Sequence, residues 1–138
     1  MNYIVFMGTV ANGLFTVGEK YTTEQIADIL GIDKHALTTG VFKPANKNFV
    51  LIFVTEKKGP RDVQYNDKLM GNILEWDGQK AGRTDKLIID NTGNDPELIL
   101  MYRAYRNENE AYGYKCMGNL CYKSHKGSHP THFILEVC

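Results

Sequence analysis

The chain has 138 residues, of which 43% are apolar, and its formal net charge is zero. This length predicts one domain with a core that needs no metal or disulfide, and the zero charge gives no molecule-wide basic field. The amino-terminal residues 1–8 are too short and lack the basic flank of a signal peptide. No apolar run reaches the ~20 residues of a membrane span. Since the three cysteines form no secretory framework, we predict a soluble protein of the reducing cytoplasm with no membrane partner.

The clearest local signal predicts a short helix after Thr22. Thr22 and Gln25 have the spacing of a capping box, in which each side chain binds the backbone N–H of the other residue. Gly31 is typical of the position after a last helical turn, and apolar residues recur at helical spacing between these ends. Residues 33–48 then predict a loop with a half-turn at 34–37.

The other apolar runs are short and predict β-strands. In chain order they are residues 3–7, 49–55, 72–76, 87–89, 98–105, 112–117, 120–122 and 132–137. The run at 49–55 is continuous enough to be buried on both faces, whereas alternation places Leu74 and Trp76 on one face of the next run. Crossover helices are absent between the runs, which disfavours parallel pairing. The prediction is an α+β domain, namely a small curved antiparallel β-barrel with one or two short helices.

Motifs of known hydrolases and nucleotide-binding loops are missing from the sequence. It has neither a Gly-x-Ser-x-Gly elbow nor a Gly-x-x-x-x-Gly-Lys phosphate loop. Asp85, Lys86 and Asp90 lie close together, but nothing nearby completes a two-carboxylate nuclease site. We therefore predict no catalytic residue and no cofactor.

A group of cysteines and histidines near the carboxyl end leaves two interpretations open. Cys116, Cys121, His125 and His129 are closely spaced, which suggests zinc. A tight Cys-x-x-Cys pair is absent, however, and strand alternation separates the two cysteines unless Gly118 interrupts it. The alternative is buried cysteines and surface histidines, and we assign no metal.

The stretch from Tyr65 to Gln79 holds the only tryptophan of the chain and has aromatic and polar residues at both ends. Tyr65 precedes Asp67, and Trp76 precedes Gln79. A pocket for a flat polar ligand needs faces to stack on and a few fixed donors and acceptors. The same residues also fit a simpler interpretation, in which Trp76 is core and the segment around Asp67 is a turn.

Three segments are locally basic. Residues 122–132 contain two lysines, three histidines, two serines and a threonine, a composition typical of a phosphate-contacting loop. The other two groups are Lys80, Arg83 and Lys86, and Lys57, Lys58 and Arg61. Each could be a solvated turn, but three of them around an aromatic stretch favour nucleic acid.

The order of these motifs resembles a poorly characterised module. The succession is Tyr65-x-Asp67, Leu74-x-Trp76-x-Gly78-Gln79, residues 98–103, Tyr114-x-x-x-Gly118 and Tyr122-x-Ser124-His125-x-Gly127-Ser128-x-Pro130. It resembles the PUA/SRA-like domain of unknown function found at the C-terminus of helicase-type restriction proteins and beside HNH endonucleases. Residues 18–22 and 39–40 are similar to the opening of modification-reading modules fused to HNH endonucleases. The resemblance covers about residues 15 to 137, with Gly78 where the family pattern has serine.

The resemblance implies a curved barrel that recognises DNA carrying a modified base, in a restriction or defence context. Such modules often flip the base into an aromatic pocket. Here Tyr65 and Trp76 would stack on the base, and Asp67 and Gln79 would read its edges. The expected phosphate contacts are Arg103, Lys123, Ser124, His125 and Lys126. Because no helicase or HNH segment accompanies the module, either a nuclease or helicase partner would be a separate chain or the module would work alone.

Two other functions are compatible with the sequence. One is an adaptor or inhibitor that binds a protein partner, which an exposed apolar patch would mark. The other is a nucleotide pocket with hydrolytic activity, in which His125 or His129 would be the base and Asp67 its partner.

Overall fold

The structure is a computed structural model, and it describes residues 8–37, 40–57, 67–92, 95–105 and 113–138. The strand predicted at residues 3–7 lies outside these ranges, as do Lys58, Arg61 and the predicted stacking residue Tyr65.

Ten strands and two short helices make up the described part of the chain. They are β1 (Thr9–Val10), β2 (Phe15–Thr16), β3 (Lys20–Tyr21), α1 (Thr23–Leu30), a 3₁₀ turn (Lys34–Leu37), β4 (Val41–Phe42), β5 (Phe49–Lys57), β6 (Lys68–Met70), β7 (Ile73–Asp77), α2 (Asp85–Ile89), β8 (Glu97–Tyr105), β9 (Tyr114–Lys126) and β10 (His132–Val137). The strand predicted at 87–89 is wrong, since these residues belong to α2. A run of three apolar residues is too short to show a period, and α2 forms because it buries Ile88 in the core.

The capping box at the start of α1 is confirmed. Thr22 Oγ1 accepts the Gln25 N–H at 3.1 Å, and Gln25 Oε1 accepts the Thr22 N–H at 2.9 Å. Gly31 follows the helix with a φ of 68°, a left-handed conformation that glycine adopts at little cost. The half-turn predicted at 34–37 is confirmed as the 3₁₀ turn.

One mixed sheet of eight strands carries the fold. Its hydrogen-bonded order is β4-β5-β8-β9-β10-β7-β6, and β3 pairs with β9 off this path. The prediction of purely antiparallel pairing is wrong, because β5 and β8 are parallel. The connection between them contains β6, β7 and α2, and this long excursion replaces the crossover helix that parallel neighbours usually need. Within the described residues β4 and β6 do not pair with each other, so the sheet is open there and does not show the predicted barrel closure.

Both faces of the sheet are buried at its centre, as the sequence predicted for the run at 49–55. Leu51 of β5 belongs to a cluster with Ile26 of α1. Ile52 belongs to a second cluster on the other face, together with Trp76 and Ile88. Alternate residues of β5 therefore belong to the two cores on opposite faces of the sheet.

The structure joins Cys121 and Cys138 in a disulfide bond that the sequence did not predict. Their Cα atoms lie 6.0 Å apart, because β10 pairs with β9 and its end reaches Cys121. Disulfides persist mainly in oxidising compartments, so this pair departs from the reduced cysteines that we expected. Cys116 is free and buried, and its burial raises the pKa of the thiol. In the described ranges no helix is long and apolar enough to span a membrane.

Candidate nucleic-acid interface

Two of the basic segments lie side by side at one end of the sheet. We call residues 78–84 loop L1, which leads from β7 to α2, and residues 127–131 loop L2, which joins β9 to β10. Since β7 and β10 are antiparallel neighbours and Asp77 lies opposite His132, L1 begins where L2 ends.

Two hydrogen bonds join L1 to L2, and a third joins L2 to the first residue of α2. The Gly78 N–H donates to the Thr131 carbonyl at 2.9 Å, and Thr131 Oγ1 donates to Asp85 Oδ2 at 2.5 Å. The His129 ring donates from Nδ1 to the Lys80 carbonyl at 3.1 Å. Thr131 is only 3% exposed, so its part of the junction is buried, whereas Lys80 and His129 are exposed.

The Asp85 side chain lies between two glycines of L1. A Cβ at Gly78 would come within 3.0 Å of Asp85 Oδ1 and 3.1 Å of the Phe133 ring. A Cβ at Gly82, whose φ is 68°, would come within 3.1 Å of Asp85 Oδ2. Close packing against Asp85 therefore gives a physical reason for glycine at position 78, where the resembled pattern has serine.

Three side-chain oxygens in this region are buried without a hydrogen-bond partner. They are Gln79 Oε1, Thr84 Oγ1 and Asp85 Oδ1, and they are the only such side-chain atoms among the described residues. A buried polar atom without a partner costs about 1–3 kcal/mol and is rare in native proteins. Their concentration in L1 and the residue that follows it marks this loop as a place where a bound ligand could supply hydrogen-bond donors.

A row of aromatic rings crosses the sheet next to the loops. Trp76 stacks on Phe133 with centroids 5.6 Å apart, and Phe133 lies 6.2 Å from the ring of His125. The His125 ring lies 5.9 Å from that of Tyr122 and shares a hydrogen bond of 2.5 Å with the Tyr122 hydroxyl. A shift of register between β9 and β10 leaves Lys123 without an opposite residue, so Tyr122 and His125 face the same side. The row is buried at Trp76 and exposed at His125.

The predicted base-reading residues come together at the end of β7. Asp67 is 9% exposed, and its Oδ1 accepts the backbone N–H of Asp77 at 2.9 Å. Gln79 follows in L1, whereas Trp76 is only 3% exposed and packs in the core. The buried ring offers little surface to a base, so a stacking role for Trp76 would require L1 or its neighbours to move. The binding role of these residues stays a prediction.

The predicted phosphate contacts divide into two separate groups. Ser124, His125 and Lys126 are exposed at the end of β9 beside L2, and Lys123 pairs with Glu136 at 2.9 Å.

Arg103 lies elsewhere on the sheet. Its Nε donates to Thr55 Oγ1 at 2.8 Å, and its guanidinium lies 4.3 Å from the centre of the Tyr114 ring. Tyr114 begins β9, so roughly 35 Å of strand separates it from His125. Arg103 therefore does not share a surface with the residues beside L2.

The four residues of the alternative zinc site are not assembled. Cys121 is bonded to Cys138, and Cys116 is buried in the cluster that packs against α1. His125 lies in the aromatic row on the other face, while His129 contacts L1. In the part of the chain that the structure describes, no three His, Cys, Asp or Glu side chains are placed to hold a metal ion.

Sequence reasoning missed a charged cluster on the face opposite the aromatic row. His132 lies between two carboxylates, with Nδ1 2.7 Å from Asp77 Oδ1 and Nε2 3.2 Å from Glu75 Oε1. Lys68 Nζ lies 3.3 Å from Glu75 Oε2. The hydrogen bond to Asp77 is the main reason that the pKa of His132 is raised, and the bond from His132 lowers the pKa of Glu75. The two-residue spacing of Glu75 and Asp77 on a strand was the available signal.

We expect protonated His132 to stabilise the fold. Because its pKa is raised above the value of about 6.5 in an unfolded chain, this stabilisation is full below that pH and is lost as pH rises through the folded-state pKa. His132→Gln cannot titrate and should flatten the pH dependence of the unfolding free energy in this window. Urea unfolding of both proteins between about pH 5 and 8 measures the effect; identical pH profiles would contradict it.

Comparison with known proteins bears on the fold. No family model matches the chain, and no curated protein matches it at a significant level. The chain is similar to the crystal structure of Arabidopsis thaliana SUVH6 in complex with SAM, with a TM-score of 0.50 and 18% identity over 88% of this chain. It spans 25% of that protein. At this identity the likeness concerns the fold alone, and it supports an SRA-like fold for this chain.

Proposed function

We propose that the protein recognises DNA carrying a modified base without cleaving it, in restriction or defence, together with a nuclease or helicase. The observation that carries the proposal is the set of unpartnered oxygens of Gln79, Thr84 and Asp85 at the junction of two basic loops. The SRA-like fold supports the same function.

The chemistry of these oxygens fits the edge of a base. Gln79 Oε1 is a hydrogen-bond acceptor, and so is Oδ1 of an Asp85 carboxylate. Nucleobases present N–H donors on their edges. A base that donates to them would offset the cost of their burial. Because the oxygens are covered, part of L1 would have to move to admit the base.

The exposed end of the aromatic row supplies the second requirement of a base site. His125 is exposed and Tyr122 is half-buried, and both lie on the face that carries Phe133. Stacking of a base on an aromatic side chain is worth about 1–3 kcal/mol. We assign the stacking contact to this end of the row in addition to Tyr65 and Trp76.

One observation favours the adaptor alternative. Met70 and Ile73 lie opposite each other in the β6–β7 hairpin and are 65% and 41% exposed. This apolar pair is where a protein partner would dock, but it is small for a specific interface. Among the residues that the structure describes, nothing comparable favours hydrolysis, since His125 contacts Tyr122 and His129 contacts the Lys80 carbonyl.

A binding series on matched duplexes tests the proposal. The duplexes differ only in one cytosine, which is unmodified, 5-methylated or 5-hydroxymethylated, and affinity is measured by fluorescence anisotropy at about 50 mM salt. We expect one modified duplex to bind at least tenfold, or about 1.4 kcal/mol, more tightly than the unmodified one. The bound DNA should stay intact when magnesium is added. Absence of binding to all three duplexes would refute the DNA function.

A further inference from the structure

We infer that L1 and the adjoining end of β9, which leads into L2, together form the surface that contacts the phosphate backbone, through Lys80, Arg83 and Lys126. This inference rests on the proposed DNA function and deepens it. The sequence placed Lys80 and Arg83 in a basic group of unassigned role and included Arg103 in the phosphate set; the structure assigns the contacts differently.

The first argument is that the two loops are held together. The Gly78 N–H donates to the Thr131 carbonyl and His129 donates to the Lys80 carbonyl, and Thr131 also donates to Asp85 at the start of α2. Lys80 itself provides the carbonyl that His129 binds. The backbones of L1, which carries Lys80 and Arg83, and of Lys126, which directly precedes L2, therefore keep their positions relative to each other. This lowers the entropic cost of binding several phosphates at once.

The second argument is that these cations are exposed and not neutralised. Lys80, Arg83 and Lys126 are all exposed. None of them takes part in an ion pair among the described residues, whereas Lys123 pairs with Glu136 at 2.9 Å and Lys86 with Asp90 at 3.9 Å. Unpaired exposed cations contribute their full charge to the local potential.

The third argument concerns two acidic residues beside L1, Asp77 and Asp85. Asp77 is bonded to His132 on the opposite face of the sheet, and the Asp85 carboxylate has Oδ1 buried while Oδ2 accepts from Thr131. The exposed charged side chains of L1 and of the end of β9 are therefore lysine and arginine, although the whole chain has a net charge of zero. A polyanion with regularly spaced charges, such as the phosphodiester backbone, fits this surface.

The far end of β9 offers matched control residues. Lys20 and Lys115 are exposed and lie directly opposite each other in the β3–β9 pairing, and neither takes part in an ion pair of the described residues. Lys115 is on the same strand as Lys126, so a change there alters charge equally but at the other end of the sheet.

The test compares two double variants of the full chain. Lys80→Gln with Lys126→Gln should weaken binding of a duplex at about 100 mM salt at least tenfold, and should lower the slope of log K against log salt by roughly two, since each phosphate contact contributes about 0.9. Lys20→Gln with Lys115→Gln should change affinity by less than about twofold. Two single variants make the same comparison for arginine. Arg83→Gln changes L1 and should weaken DNA binding, whereas Arg103→Gln is the control away from L1.

The outcomes separate this inference from the proposed function. If the unchanged protein binds DNA and the control variants lower the salt slope as much as the Lys80 and Lys126 variants, the inference is overturned and the DNA function stands. If the unchanged protein binds no DNA at low salt, the proposed function fails and the inference fails with it. Circular dichroism of each variant establishes that the substituted surface lysines leave the fold intact.

Discussion

Replacing Trp76 with alanine should lower the free energy of unfolding by about 3–5 kcal/mol, the usual cost of removing a large buried aromatic. The indole is 3% exposed and stacks on Phe133 at 5.6 Å. It belongs to the cluster that also holds Leu100 and Leu120. Alanine would leave a cavity beside Phe133 in this core. Urea denaturation monitored by circular dichroism measures the loss.

The matched control is Trp76→Phe, which keeps a ring against Phe133 and should cost less than the alanine variant. Comparing these variants also decides whether Trp76 is a core residue or a stacking wall, which the sequence left open. A Trp76→Ala protein of nearly unchanged stability that loses DNA affinity tenfold or more would contradict the core assignment and support the stacking wall. If Trp76→Phe lowers the free energy of unfolding but leaves the affinity for DNA unchanged, Trp76 acts only as a core residue.

Substitution of Asp67 should separate base reading from loop support. Asp67 Oδ1 accepts the Asp77 N–H at 2.9 Å, at the point where β7 passes into L1. Asp67→Ala removes this acceptor and should cost about 1–3 kcal/mol of stability as well as DNA binding. Asp67→Asn keeps one carbonyl oxygen for that N–H but replaces a carboxylate oxygen with an N–H donor group and removes the charge. We expect it to retain stability and to lose about 1–3 kcal/mol of affinity, because donors on the base would then face donors.

Thermal unfolding and anisotropy on the same preparations give both readouts. Glu75→Gln serves as the control, since it also removes one carboxylate from the β7 region but lies on the face with His132. If Asp67→Asn binds the preferred duplex as tightly as the unchanged protein does, Asp67 supports L1 without reading the base. Equal losses of affinity in Asp67→Asn and Glu75→Gln would point to a general charge effect instead.

Several local features could be predicted because short-range sequence decides them. The capping box of Thr22 and Gln25 depends on two side chains three residues apart, so its residues are sufficient to form it. The alternation of Leu74 and Trp76 with Ile73 and Glu75 follows from the geometry of any strand. The apolar run of β5 likewise predicts burial on both faces.

Other features required the whole fold. The sequence predicted antiparallel pairing and a strand at 87–89, whereas β5 and β8 are parallel and α2 occupies those residues. Parallel pairing of β5 and β8 depends on how β6, β7 and α2 connect the two strands, and no local sequence pattern predicts that path. The disulfide of Cys121 depends in the same way on where β10 ends.

For the candidate site, the sequence by itself determined which segments are basic, which are aromatic, and that Asp67 and Gln79 flank the end of a strand. Only the tertiary structure decided that L1 and L2 touch, that Arg103 lies apart from them, and that a register shift places His125 on the face of Phe133. The physical reason is the distance along the sequence between the residues that interact. Caps and alternation are set by residues a few positions apart, whereas the contacts of this site join β7, β9 and β10 across a sheet whose order is not the order of the chain.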